Sequence, residues 1–142
     1  MLELHTMAGH LIRRLNQIST SVFQKHVKAA GYPMTSVQFA AMSALQANPG
    51  IDQITLAGMI AYDKVTIGGV VERLEKKGLI NRERSEKDRR AKAIKLTRQG
   101  EDFLKAVTPV VVKLQDQILS GLDQEEKEQF LQLAAKATAV KQ

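Results

Sequence analysis

The sequence contains no cysteine among its 142 residues. Disulfide bonds, thiolate catalysis and redox sensing through cysteine are therefore excluded. No apolar run approaches the roughly 20 residues that a helix needs to cross a bilayer. Residues 1–17 have charges scattered through them and lack the apolar segment and small-residue cleavage site of a signal peptide. These absences predict a cytoplasmic protein with no membrane partner.

Patterns that carry catalysis or metal binding are also missing. The three histidines, His5, His10 and His26, are never three or four residues apart, and no acidic residues cluster with them. A metal site is therefore disfavoured. The pair Gly68-Gly69 lacks the spacing and the Lys-Ser/Thr ending of a phosphate-binding loop. Because no nucleophile with a base and no paired carboxylates stand out either, we expect a binding protein without a cofactor rather than an enzyme.

Positive charge, in contrast, is concentrated in one quarter of the chain. The net charge is +6, and residues 64–98 hold 12 lysines and arginines against 5 acidic residues. The other residues hold 9 basic and 10 acidic side chains. A solvated basic face is one explanation of this imbalance. A localised basic stretch that contains a helix is also the electrostatic pattern expected of a nucleic-acid-binding protein.

Apolar periodicity and capping residues predict four helices in the first half of the chain. The first covers residues 7–28. Thr35 and Gln38 have the spacing of a capping box, which predicts that the second helix begins there. Asp52 caps a short third helix, and a fourth follows from Lys64 after a tight turn. A short helix, a tight turn and a second helix form the outline of a helix-turn-helix.

The segment after this motif has the pattern of a two-stranded ribbon. Residues 79–80 and 93–96 have strand character, and the polar run 85–92 between them predicts a hairpin loop. A ribbon directly after the second helix of such a motif is a wing. Thr97 then caps a long helix to about residue 120, and Asp123 starts a last one.

Two adjacent glycines interrupt the basic helix that begins at Lys64. Each costs about 1 kcal/mol relative to alanine in a helix interior. At 100° per residue, one sector of this helix is apolar and both Gly68 and Gly69 fall opposite it. We therefore expect both glycines to point outward and to permit close approach of the backbone to another surface. Chance use of glycine on a solvent face is the alternative.

Residues 56–100, LAGMIAYDKVTIGGVVERLEKKGLINRERSEKDRRAKAIKLTRQG, resemble the winged-helix core of the MarR (multiple antibiotic resistance regulator) family. The Leu-Ala helix, Asp88-Arg89-Arg90, and the Leu-Thr-x-x-Gly pattern that ends at Gly100 carry the resemblance. Gly68-Gly69 stands where the family commonly has Thr-Arg. No contact from those two side chains is therefore carried over to this chain.

The resemblance implies a homodimeric, DNA-binding transcriptional regulator, by default a repressor, on a near-palindromic duplex operator. The expected fold is mainly α-helical with a small β-wing, as one domain over residues 1–142. Residues 35–98 are expected to form the winged helix-turn-helix, and residues 1–32 and 99–142 the dimerisation helices. Apolar stripes on the terminal helices fit this expectation, although an intramolecular helical core also explains them.

A set of DNA-contacting residues follows from the resemblance together with the charge pattern. Arg90 is expected in the minor groove, where negative potential is concentrated, and Asp88 is expected to orient it. Lys87 and Lys92 are expected on phosphates, which add affinity without sequence information. The complete predicted set is Thr35, Ser36, Lys64, Val65, Thr66, Gly68, Gly69, Arg73, Lys76, Lys87, Asp88, Arg89, Arg90 and Lys92.

The resemblance also implies an effector, a small aromatic or phenolic acid that releases DNA by binding between the dimer helices and the winged part. The candidate contacts are His10, Arg13, Arg14 and Met42. Surface salt bridges are the simpler explanation of the two arginines. Two other readings of the chain remain open, a winged helix used only for protein interaction and a metal-responsive regulator of the same fold.

Overall fold

The computed structural model describes residues 3–60, 62–84 and 92–139, apart from the side chain of Lys64. Within these ranges, no helix is both long and apolar enough to cross a membrane. The predicted fold class, mainly α with a small β-wing, is confirmed. A 3-10 turn, Leu4–Thr6, precedes α1 (Ala8–Ala29), α2 (Ser36–Ala47), α3 (Gln53–Met59), α4 (Lys64–Lys76), β1 (Ile80–Arg84), β2 (Lys92–Leu96), α5 (Arg98–Ile118) and α6 (Gln124–Thr138).

The helices begin close to where the capping residues predict. Thr35 Oγ1 accepts the backbone N–H of Gln38 at 3.2 Å, and Gln38 Oε1 accepts the backbone N–H of Thr35 at 3.1 Å. Such reciprocal bonds satisfy two of the N–H groups that a helix start leaves unpaired. The cap side chain also accepts a backbone N–H at the start of each later helix, at Asp52, Asp63, Thr97 and Asp123, and at Asp123 the bond is again reciprocal.

One hydrophobic core joins the winged helix to the long helices on either side of it. Phe23 and Val27 of α1 are buried in the same cluster as Leu45 of α2, Ile67 of α4 and Leu104 of α5. Burial of a large apolar side chain contributes about 1.5–3 kcal/mol. The winged part therefore shares its stabilising core with α1 and α5.

The wing is an antiparallel pair whose register runs from Ile80 opposite Leu96 to Arg84 opposite Lys92. A short segment after α2 extends it. The N–H of Ile94 donates to the carbonyl of Ile51 at 3.0 Å, and the N–H of Gly50 donates to the carbonyl of Ile94 at 2.9 Å. This bridge, which the sequence pattern did not predict, ties the base of the wing to the start of the helix-turn-helix.

Thr97 and Gly100 build a tight junction between the end of α4 and the start of α5. Thr97 Oγ1 donates to the carbonyl of Gly78 at 2.6 Å and accepts the N–H of Gly100 at 3.0 Å. A Cβ atom on Gly100 would overlap the backbone carbonyl of Leu79. Gly78 has φ +76°, which favours glycine and ends α4. The Leu-Thr-x-x-Gly motif is therefore a structural joint.

The apolar residues at the two ends of the chain leave an open groove. None of the residues of α6, all of which are described, is buried. Leu131 and Leu133 of α6 are 59% and 65% exposed, and Leu11 and Ile12 of α1 are also exposed. Together with the C-terminal part of α5, these helices line a groove of about 790 Å³. The predicted apolar stripes are therefore present, but in the single chain much of their surface is open to solvent.

Candidate DNA interface

Helix α4 has one completely buried face and one open face. Ile67, Val70, Val71 and Leu74 are buried in the core, as the periodicity predicts. Thr66, Arg73 and Lys76 are exposed, and Val65 is 87% exposed. A β-branched apolar side chain this exposed gains nothing from packing within its own chain. The open face is therefore a suitable contact surface for another molecule.

The start of α4 is fixed by Asp63 and Thr66. Asp63 Oδ1 accepts the backbone N–H of Thr66 at 2.8 Å, and Thr66 Oγ1 donates to Asp63 Oδ2 at 2.9 Å. These hydrogen bonds, the backbone one foremost, lower the pKa of Asp63. Because the cap uses the hydroxyl proton of Thr66, its oxygen is left to accept a hydrogen bond from DNA rather than to donate one.

The two glycines of α4 have different surroundings. A Cβ atom on Gly69 would meet only the guanidinium of Arg73, at 3.8 Å, which is an ordinary contact. A Cβ atom on Gly68 would lie 3.2 Å from Nε2 of Gln53, the first residue of α3. The expectation that both glycines point outward is therefore wrong for Gly68, which is half-buried and faces α3.

Several predicted DNA contacts fall on the wing, which is described only in part. Lys92, the first residue of β2, is exposed and lies opposite Arg84. Lys87, Asp88, Arg89 and Arg90 lie outside the described residues, and so does the side chain of Lys64. The roles assigned to these five residues stay predictions.

Thr35 and Ser36 lie at the start of α2. Thr35 is exposed and its hydroxyl oxygen accepts a capping hydrogen bond, so the hydroxyl proton is free to donate. Ser36 is half-buried. Lys77 Nζ donates to the carbonyl of Pro33 at 3.0 Å. The start of α2 therefore lies close enough to the C-terminal end of α4 for one lysine side chain to connect them.

An ion pair that the sequence pattern did not predict connects α4 to the wing. Arg82 of β1 donates to Glu75 of α4 from Nε at 3.2 Å and from Nη2 at 2.8 Å. The hydrogen bonds from Arg82 lower the pKa of Glu75, and Glu75 raises the pKa of Arg82. A bidentate arginine–carboxylate pair fixes the angle between its partners as well as their distance. The wing is therefore held at a set orientation to α4.

The predicted effector contacts separate into surface and core residues. His10 is half-buried near the start of α1, with its ring 6.0 Å from that of His5, and Arg13 and Arg14 are exposed. Met42 corrects the prediction. Its side chain is 0% exposed within the hydrophobic core, so an effector in the groove would not touch it. A sulfur-containing apolar residue on a buried helix face is better explained by packing.

Histidine and acidic side chains do not assemble into a metal site in the part of the chain that is described. No group of three or more His, Asp or Glu residues there has metal-binding geometry. His26 donates from Nδ1 to the carbonyl of Val22 at 2.9 Å, one turn earlier in α1. The Nδ1 atom of His26 is therefore satisfied by a carbonyl of its own helix.

The capped helix pair α3–α4, followed by a two-stranded wing, defines a winged helix-turn-helix, a class of DNA-binding protein. A sequence model of the MarR family matches residues 34–92. The chain is also 33% identical to the transcriptional regulator HosA of Escherichia coli over 135 residues, 95% of this chain and 97% of HosA. The chain therefore belongs to the MarR family and is a DNA-binding transcriptional regulator.

Solved structures have the same fold over nearly the whole chain. The PcaV transcriptional regulator of Streptomyces coelicolor, in complex with its natural ligand, is 30% identical and superposes with a TM-score of 0.85 over 96% of this chain and 95% of PcaV. The transcriptional repressor CouR, bound to a 23-mer DNA duplex, is 25% identical and superposes with a TM-score of 0.83 over 96% of this chain and 98% of CouR.

Proposed function

We propose that this protein is a homodimeric repressor that binds a near-palindromic duplex operator and is released from it by a small aromatic or phenolic acid. The observation that carries the proposal is the open face of α4, on which Val65, Thr66, Gly69, Arg73 and Lys76 lie opposite a completely buried face. In a helix-turn-helix this second helix enters the major groove, with its N-terminal residues at the base edges. The similarity to CouR, which is itself named a repressor, supports the sign of regulation.

The proposed roles of the segments follow the boundaries predicted from the sequence. Residues 35–98 contact DNA, and residues 1–32 and 99–142 form the dimer. Val65 is proposed to contact a thymine methyl group, while Arg73 and Lys76 contribute positive charge near guanine or phosphate. Arg90 extends the contact into the minor groove, with Asp88 orienting it. Arg89 adds to the contact along the wing, and Lys87 and Lys92 bind phosphates.

The groove at the two ends of the chain supports the dimer. Its apolar residues include Leu11 and Ile12 of α1 and Leu131 and Leu133 of α6, and no residue of α6 is fully buried in the single chain. An open apolar surface of this kind in a soluble protein is typical of an association site. A symmetric dimer carries two copies of α4, so the two half-sites are expected about 10 base pairs apart, one helical turn.

The effector is proposed to bind where the dimer helices meet the winged part. His10 at the start of α1, with Arg13 and Arg14 one turn on, would supply groups that hold a carboxylate, beside apolar residues that suit an aromatic ring. Arg prefers carboxylates because its guanidinium donates two parallel hydrogen bonds. The similarity to PcaV, whose structure contains a natural ligand, supports a small-molecule effector.

The test of DNA binding is in vitro selection from a random duplex library, followed by titration of the selected duplex and a scrambled duplex at two salt concentrations. We expect a near-palindromic consensus, tighter binding of the selected duplex and a steep loss of affinity with salt. Arg73→Ala should weaken binding, whereas Lys105→Ala, which removes one charge from an exposed position on α5, should not. Failure of the wild-type protein to select any sequence would overturn the proposal.

The effector is tested on the same protein–DNA complex. A panel of hydroxybenzoic, nicotinic and cinnamic acids is added, and release of the selected duplex is followed by fluorescence anisotropy. We expect at least one acid to release DNA and to raise the melting temperature of the free protein, because a ligand that binds the folded state stabilises it. Arg14→Ala should weaken this response while leaving DNA affinity unchanged in the absence of acid. No response to any acid would contradict this part of the proposal.

A further inference from the structure

Gln53 occupies the space that a side chain at position 68 would fill. Its Nε2 lies 3.2 Å from the position of a Cβ atom on Gly68, a tighter approach than ordinary van der Waals contact. Gly69, the next residue, has no such neighbour on α3. Glycine at position 68 therefore leaves room for a carboxamide from another helix.

The backbone of Gln53 is held firmly in this position. Gln53 is the first residue of α3, and the preceding Asp52 caps that helix by accepting the N–H of Thr55 at 2.7 Å. Leu56 and Ala57, one turn further along the same face of α3, are buried in the core. A side chain that projects from a rigid, packed element is placed more exactly than one on a loop.

Within the described part of the chain, the hydrogen-bonding capacity of the Gln53 carboxamide is unused. It makes no hydrogen bond to any of the described residues, and Gln53 is only half-buried. A carboxamide offers two N–H donors and an oxygen acceptor, the combination that pairs with N6 and N7 of adenine in the major groove. Gly68 neighbours Val65 on the surface of α4, since residues three apart lie side by side on a helix. The carboxamide therefore borders the open face of α4.

We propose that Gln53 reads a base pair of the operator through the gap at Gly68, so that α3 supplies a sequence-reading group in place of a side chain of α4. The proposal rests on the proposed DNA-binding function and adds one specificity-determining residue to it. Gln53 selects an A·T pair in each half-site, because its carboxamide fits the adenine edge. Gly68 weakens α4 as a helix, but it permits the carboxamide of Gln53 to lie against α4.

The experiment uses the full-length protein, the duplex selected by the wild type, and a set of that duplex's single-base-pair variants. For Gln53→Ala we expect the preference at one A·T position per half-site to fall by about ten-fold or more, the size of one bidentate base contact. Preferences at other positions, affinity for a scrambled duplex and its salt dependence should not change. The matched control is Gln46→Ala, which removes an exposed glutamine from α2.

A second variant tests the role of the gap at Gly68, and this test is valid whether or not the Gln53→Ala variant folds. Gly68→Ala keeps Gln53 but places a methyl group 3.2 Å from its amide, so the carboxamide must move. We expect loss of preference at the same base pair, with a melting temperature at or above the wild-type value. The double variant should lose no more preference than Gln53→Ala alone, because both changes remove one contact.

Two results would overturn the inference. One is retention of the full base preference by both variants, which would make Gln53 a packing residue. The other is a uniform loss of affinity across all duplexes, which would make it a phosphate contact. Both results differ from failure of the proposed function, in which the wild-type protein itself selects no sequence.

Discussion

Arg82 on the first strand of the wing holds Glu75 on α4 with two hydrogen bonds, of 2.8 and 3.2 Å. The two residues are seven positions apart, and Gly78, where the chain turns, lies between them. The pair therefore fixes the angle between α4, the helix proposed for the major groove, and the wing, which is proposed for the minor groove. Its loss should affect DNA binding more than folding, because both side chains are partly exposed.

Glu75→Gln should lower the affinity for the selected duplex several-fold, since the wing loses its fixed angle to α4. The matched control is Glu72→Gln, which removes the same charge from the same helix. Glu72 is a surface partner of Lys76 at 3.7 Å. Both variants should melt close to the wild type, and anisotropy titrations compare their affinities. Equal effects of the two changes on affinity would show that the ion pair does not position the wing.

The same ion pair predicts a contribution to stability that depends on pH. The pKa of Glu75 is lowered in the folded protein from its ordinary 4.5, so the unfolded chain binds the proton more readily. The contribution is therefore complete at neutral pH and is lost as the pH falls through the lowered pKa. Urea unfolding between about pH 6 and pH 3 should show a shallower loss of stability for Glu75→Gln than for the wild type. Parallel curves would contradict the prediction, since the lowered pKa values of Asp52 and Asp63 act equally in both proteins.

Two glycine-to-alanine changes should shift stability in opposite directions. Gly69→Ala should stabilise the protein by up to about 1 kcal/mol, because alanine loses less backbone entropy in a helix and its methyl group meets only the mobile end of Arg73. Gly100→Ala should destabilise it by about 3 kcal/mol or more, because its methyl group would overlap the carbonyl of Leu79. Free energies of unfolding in urea provide the measurement. A stabilising Gly100→Ala would disprove the joint between α4 and α5.

The dimer proposal predicts that a charge on the apolar side of α6 dissociates the protein. Leu131→Glu should shift sedimentation from dimer to monomer and weaken binding to the full operator, since Leu131 lines the groove. Gln132→Glu adds the same charge at the next residue, which is exposed and does not line the groove, and should remain dimeric. A dimeric Leu131→Glu, or a wild-type monomer that binds one half-site at full affinity, would refute the proposed interface.

The wing is tested through Arg90, whose role follows from the resemblance to the family. Arg90→Ala should weaken binding and make affinity depend less steeply on salt. Each lost contact with a phosphate makes the negative slope of log K against log salt shallower by about 0.9. Lys105→Ala, again the one-charge control, should leave the slope unchanged. Identical slopes for Arg90→Ala and the wild type would mean that Arg90 does not touch DNA.

Local features of the fold were predictable from the sequence, because they depend on residues close together in the chain. The cap at Thr35 and Gln38 spans three residues, and the buried face of α4 follows from a 3.6-residue period. Three-residue caps also mark where α3, α4, α5 and α6 begin.

Features that depend on how elements meet were not predictable. The contact of Gln53 with Gly68 joins residues fifteen positions apart, and it exists only at the observed angle between α3 and α4. Periodicity places Gly68 away from the apolar face of α4, but it cannot show that α3 covers that position. The burial of Met42 was not predictable for the same reason, because it depends on how α1, α4 and α5 pack around α2. The pair of Glu75 and Arg82 likewise requires the turn at Gly78.

The joint formed by Thr97, Gly78 and Gly100 connects the start of α5 to the end of α4, so a tilt of α5 would be passed on to α4. A helix of 21 residues is about 32 Å long at 1.5 Å per residue. A tilt of α5 by about 5° about its C-terminal end would therefore displace its N-terminal end by roughly 3 Å, close to the 3.4 Å spacing of adjacent base pairs. Since Thr97, the cap of α5, is hydrogen-bonded to Gly78 just after α4, a displacement of this size would shift α4, the helix proposed for the major groove, by about one base pair along the duplex.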